Sequence, residues 1–91
     1  MKNDEIISEI AASVYGEAAV QDMIRQGKEI PMHSLIGWKK RGYRVKAGEH
    51  GIETRLWKKR KNAPENEKDS FYLTKTFLFT ENQVEEDRYD G

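Results

Sequence analysis

Residues 38–61, WKKRGYRVKAGEHGIETRLWKKRK, decide the reading of this chain. Gly42 stops the short basic run before it. Residues 43–47, YRVKA, then read as a strand. Gly48-Glu49-His50-Gly51 is a turn in which both glycines are free to take positive φ. Residues 52–61 alternate as a second strand. Ile52, Thr54 and Leu56 lie on one face, and Glu53, Arg55 and Trp57 on the other. The stretch therefore reads as a β-hairpin entered from a short helix.

Downstream, residues 62–69 (NAPENEKD) read as a polar hairpin loop. Residues 70–80 (SFYLTKTFLFT) are the strongest strand signal, rich in aromatic residues and threonine. Phe71, Leu73, Phe77 and Phe79 share one face, interrupted by Lys75. Tyr72, Thr74, Thr76 and Leu78 share the other. Thr80 caps a last turn over ENQVE, and residues 85–91 are expected to form a flexible acidic tail.

Upstream, Ile7, Ile10, Ala11, Val14 and Ala18 follow helical spacing, with Asn3 or Asp4 as the cap. Gly16 weakens this helix, and the apolar stripe shifts phase to Ala19, Val20, Met23 and Ile24. Gly27 and Pro31 end the helical region. Ser34 caps a short helix, LIGWKKR, which ends at Gly42. The expected architecture is α+β: N-terminal helices packed on a small antiparallel sheet of about three strands, near 43–47, 52–61 and 70–80. It forms one domain over residues 1–84, helical over 3–41 and β over 43–80, followed by the tail.

Charge is segregated. Residues 38–61 hold ten of the sixteen Lys and Arg residues and two acids, a local balance of +8. Residues 1–37 carry net −3 and residues 62–91 net −5, so the formal total is zero. Segregation of this kind speaks of partners rather than of fold. Bases interleaved with Trp38, Tyr43 and Trp57 suit single-stranded nucleic acid, where cations meet phosphates and rings stack on bases.

Other chemistries find little support. The chain has no cysteine and only two histidines, His33 and His50, which are not at metal-ligand spacing. No nucleophile–base pairing can be built, and Glu85–Asp87 fall in the expected tail. No cofactor and no small-molecule substrate are implied. The glycine turn at 48–51 runs into a strand rather than a helix, so it is not a nucleotide P-loop. The N-terminal segment lacks the apolar run of a secretory signal, and no stretch approaches the roughly 20 apolar residues of a membrane span. The amphipathic N-terminal helix is acidic, the wrong charge for a membrane surface. A cytoplasmic protein with no membrane partner is expected.

The segment from Ile30 to Val84 resembles the single-stranded-DNA-binding domain at the N-terminus of ArdC-type antirestriction proteins. The matching positions are Gly42, Val45, Lys46, Gly48, Glu49 and Gly51, then Trp57-Lys58, then Gln83-Val84 after the aromatic strand. The Tyr-x-Gly-x-Asn segment of that family is not found in these 91 residues, and no part of them is expected to form its zinc-metalloprotease domain. The resemblance therefore implies binding alone, in a phage or mobile-element counter-defence setting.

The candidate contact residues are Lys39, Lys40, Arg41, Arg44 and Lys46 in a first basic group. Lys58, Lys59, Arg60 and Lys61 form a second, with Arg55 on the same strand and Lys75 on the aromatic strand as further candidates. Trp57 and Tyr72 are the candidate stacking rings. Each has a plainer reading: the cations as a solvated face, Trp57 as a ring packed beneath the helices. Trp38 reads as core. The function expected is non-catalytic binding of single-stranded DNA. The alternative is a protein-binding inhibitor whose basic face clamps an acidic host defence enzyme.

Overall fold

The computed structural model describes residues 2–61 and 70–87. Helix α1 (Asn3–Tyr15) is followed directly by α2 (Glu17–Arg25). The break falls at Gly16, whose φ of +94° few other residues adopt. Helix α3 (Leu35–Lys40) is short and opens where Ser34 Oγ accepts from the Gly37 amide at 3.1 Å. Neither expected cap of α1 acts as one: Lys2 holds the N-cap position without a side-chain bond, and Asn3 is engaged elsewhere.

Five strands form two antiparallel sheets. In the larger sheet β4 (Phe71–Thr80) lies between β1 (Met32–Ser34) and β3 (Ile52–Lys59). The smaller sheet pairs β2 (Tyr43–Val45) with β5 (Val84–Glu86). The β4–β3 ladder runs from Phe71 opposite Lys59 to Leu78 opposite Ile52. The α+β class and the packing of the N-terminal helices on a three-stranded antiparallel sheet thus stand.

The membership of that sheet differs from expectation. Residues 43–45 do not pair with β3 across the 48–51 turn. They pair with residues 84–86, which the sequence pattern places partly in a tail. The place of β2 in the three-stranded sheet is taken by β1, a segment with no strand signal of its own. The physical reason is β4, whose Phe79 needs covering on the face away from the helices. Trp38, Phe79 and Val84 are buried together there, with Tyr43 and Val45 packed around them. Indole Nε1 of Trp38 donates to the Phe79 carbonyl at 2.8 Å.

The other face of the sheet carries the main core. Ala11 of α1 and Val20 of α2 are buried against Met32 and Leu78, flanked by Ile7, Ile10, Ile30, Ile52 and Leu56. After Thr80, a turn of 3-10 helix (Glu81–Gln83) is closed by a capping box between Thr80 and Gln83. Among the described residues no helix is long and apolar enough to cross a membrane. The expected hairpin loop at 62–69 and the end of the expected tail, 88–91, lie outside the described residues.

Candidate nucleic-acid interface

Alternation along β3 and β4 sends even-numbered residues toward the helices and odd-numbered residues outward. Near the β1 end the outward face is covered by α3 and the small sheet. Farther along it is open. Trp57 stands opposite Leu73, Arg55 opposite Lys75, Glu53 opposite Phe77, and Lys59 opposite Phe71. Trp57 is 39% exposed, and Phe71, Leu73 and Phe77 are 47%, 45% and 46% exposed. Large side chains left this open in adjacent positions form an exposed apolar patch, which makes this face the candidate contact surface. Trp57 therefore follows its exposed reading, since the helices pack on the opposite face.

A groove between α3 and strands β3 and β4 borders this face. Leu35, Ile36, Trp57, Phe77 and Phe79 supply its apolar lining, and Lys40, Lys58 and Lys75 its cations; no carboxylate residue lines it. Leu35 and Ile36 are 58% and 63% exposed. The groove draws one lysine from each of the two basic groups and one from the aromatic strand. Lys75 also lies 3.4 Å from Glu53, a contact that solvent weakens because both side chains are exposed.

The remaining candidates are placed differently. Tyr72 alternates onto the helix-facing side, where the Arg60 guanidinium lies 5.1 Å from its ring centroid. The four consecutive bases 58–61 are thus divided between two faces rather than forming one stripe. Lys61 follows β3 and is exposed, as is Lys39 on α3. Arg41 donates to both carboxylate oxygens of Glu29, Nε at 3.3 Å and Nη2 to the other oxygen, and its Nη1 bonds the Gly37 carbonyl at 2.7 Å. Arg44 pairs with Glu85 at 3.4 Å and lies 3.9 Å from Asp87. Lys46 Nζ donates to the Asn82 carbonyl at 3.2 Å. Three of the five bases in the first group are therefore already engaged by acidic or carbonyl oxygens.

Phe71, Leu73 and Phe77 join the site although the sequence pattern does not mark them for it. The pattern puts them on one face, but aromatic residues on a strand read as core until the helices are known to lie on the other side.

Behind the site, His33 stacks edge-on to Trp38, with centroids 4.8 Å apart, and Trp38 edge-on to Tyr43 at 5.4 Å. Burial, with the charge of Arg41 added, pushes the His33 pKa below its ordinary value, against the opposing pull of Glu29. The Arg41 hydrogen bond draws the Glu29 carboxyl below the usual range. Among the described residues no three His, Asp or Glu side chains converge on a possible metal position. Comparison with protein-family models, with curated proteins and with solved structures finds no match to this chain.

Proposed function

We propose that this protein binds single-stranded DNA without catalysis, as an ArdC-like domain acting in the cytoplasm in a phage or mobile-element counter-defence setting. The observation that carries the reading is the outward face of β3 and β4. It presents Trp57, Phe71 and Phe77 among Arg55, Lys59 and Lys75, beside a groove whose lining has cations and no carboxylate. Rings exposed on a sheet stack with any base, and lysines along a groove track phosphates, so affinity is sequence-tolerant and salt-dependent. Duplex DNA fits this face poorly, because its bases are already stacked on one another.

The test is a titration of labelled single-stranded and double-stranded oligonucleotides at two salt concentrations. Single strands should bind more tightly. Trp57→Ala should weaken binding by roughly 1–3 kcal/mol per stacked base while leaving the salt slope nearly unchanged. Replacing Lys40, Lys58 and Lys75 by Ala should flatten the slope by about 0.7 for each phosphate that is no longer neutralised. Equal or tighter duplex binding would remove the stacking role. Negligible oligonucleotide binding with tight capture of one acidic protein would favour the inhibitor reading.

A further inference from the structure

We infer that the chain self-associates through the open edge of β4, residues 71–77 pairing antiparallel with the same residues of a second copy. Strand β3 runs along one side of β4, but β1 covers only Leu78–Thr80 on the other. Among the described residues no strand lies beside 71–77 on that side.

The direction of the edge groups follows from Trp57. Its backbone N–H and C=O are both held by the Asn3 side chain, on the side away from β4. Trp57 and Leu73 are therefore a pair that exchanges no ladder bonds, and Leu73 must direct its own N–H and C=O away from β3. By alternation Phe71, Lys75 and Phe77 do the same. Four residues thus present donors and acceptors to the open side.

The outer edge of β3 and the uncovered edge of β4 over residues 71–77 are treated differently. The β3 edge is capped by Asn3 and carries Glu53, Arg55, Lys58 and Lys59, the usual protection against unwanted pairing. The β4 edge has no proline and one charge, Lys75, which already lies 3.4 Å from Glu53.

A second copy fits this edge because the seven-residue window is self-complementary. With a two-fold axis at Thr74, Phe71 faces Phe77 of the second copy and Leu73 faces Lys75 of the second copy. Every edge-directed residue then meets an edge-directed residue. A one-residue slip would set edge-directed groups against groups already bonded to β3, and Ser34 blocks extension past Leu78. The formal net charge of zero offers no long-range repulsion between copies. Phe71 and Phe77 at their observed exposure each leave roughly 80–100 Å² open, judged from what such rings bury. Two copies thus bring about 400 Å² of aromatic surface, to which Leu73 and the strand edges add. This falls below the roughly 1,200 Å² in total at which specific, stable interfaces begin, so the pairing gives a weak, concentration-dependent dimer. The axis is perpendicular to the sheet, so the open faces of both copies lie on the same side of one continuous surface.

The pairing does not depend on nucleic-acid binding and is tested without it. The protein has no cysteine, so Thr74→Cys supplies its only thiol. That position faces itself across the axis as a close, non-hydrogen-bonded pair about 4.5 Å apart at Cα, within disulfide reach. Mild oxidation should give a disulfide-linked dimer for Thr74→Cys and far less for Thr76→Cys, which faces Tyr72 of the second copy. Sedimentation equilibrium reads the second arm. Leu73→Lys sets like charges opposite Lys75 of the second copy and should weaken the dimer roughly tenfold, while Leu73→Glu should strengthen it. Leu73 is half exposed in the single copy, so both variants fold. A protein that stays monomeric to about 1 mM, the weakest association worth the name, overturns the inference. So does a dimer that cross-links equally at 74 and 76 and ignores the charge at 73.

Discussion

Asn3 and Trp57 form a reciprocal pair. Asn3 Nδ2 donates to the Trp57 carbonyl at 3.0 Å, and the Trp57 amide donates to Asn3 Oδ1 at 2.7 Å. A side-chain amide thus does what a neighbouring strand residue would do, and it ties the first turn of α1 to the outer edge of β3. It also fixes the backbone from which the Trp57 ring is presented. Asn3→Ala should lower stability by about 1 kcal/mol, the net worth of an ordinary hydrogen bond or two at a solvated site. Asn3→Asp should be no better, although it keeps the acceptor, because it sets a carboxylate against the Trp57 carbonyl. Thermal melts of the three proteins check this ordering.

Gly51 is held by space rather than by backbone conformation. A Cβ placed there would stand 2.8 Å from Phe77 Cβ and 2.9 Å from Phe79 Cζ. Gly48, three residues earlier, has φ +83° with open space around it. Gly51→Ala should cost about 1–3 kcal/mol through overpacking and should disturb the face carrying Phe77. Gly48→Ala should cost about 1–2 kcal/mol through left-handed strain alone. Denaturant unfolding gives both values, and near-ultraviolet circular dichroism should change only for Gly51→Ala.

These two glycines show where the sequence was legible. A Gly-x-x-Gly turn signals a reversal and does not say which strands it joins. Gly48 does sit in a turn, but β2 and β3 belong to different sheets, because Val45 pairs with Val84, far along the chain. Local pattern is strong where one face is buried, as in α1, β3 and β4. It is weak in three-residue strands. Met32–Ser34 has too few residues to show alternation, and Val84–Glu86 is too acidic to look like a strand. The candidate site was legible in its cations and Trp57. Its extension to Phe71, Leu73 and Phe77 depends on which face the helices take, a long-range choice that strand periodicity leaves open.

His33 gives a pH dependence with a definite sign. Its side chain is 13% exposed, its Nε2 lies 3.6 Å from Glu29, and Arg41, Lys28 and Asp4 line the same cleft. Its folded pKa is lowered by burial first and by Arg41 second. Below about pH 6.5, the ordinary histidine value, the unfolded chain binds a proton that the folded chain refuses. Stability should therefore fall as pH drops from about 6.5 toward the depressed folded value, and should be flat in this group's contribution above about pH 7. The lowered carboxyl of Glu29 adds a separate loss only in stronger acid, as pH falls through its folded value. Melting temperatures from pH 5 to 8 should show the first slope, and His33→Gln should flatten it whatever its effect on absolute stability.

Arg44 connects the C-terminal segment to the proposed DNA binding. Strand β5 holds Glu85 3.4 Å from its guanidinium, and Asp87 lies 3.9 Å away. The Asp87 amide also donates to the Gly42 carbonyl at 2.9 Å. The acidic segment is thus held against one of the bases expected to meet phosphate. We predict that it competes with phosphate for Arg44. Deleting residues 85–91 would be a poor test, because it would strip the partner from β2 and disturb Val84 in the core. Glu85→Gln with Asp87→Asn removes the charge and keeps the strand. The double variant should bind a single-stranded oligonucleotide more tightly at low salt, and the gain should shrink as added salt screens the original pair. Adding Arg44→Ala to the double variant should abolish the gain if Arg44 is the group released. A gain that survives Arg44→Ala would mean the acids act through the general field of the protein. No gain at low salt in the folded double variant would rule the competition out.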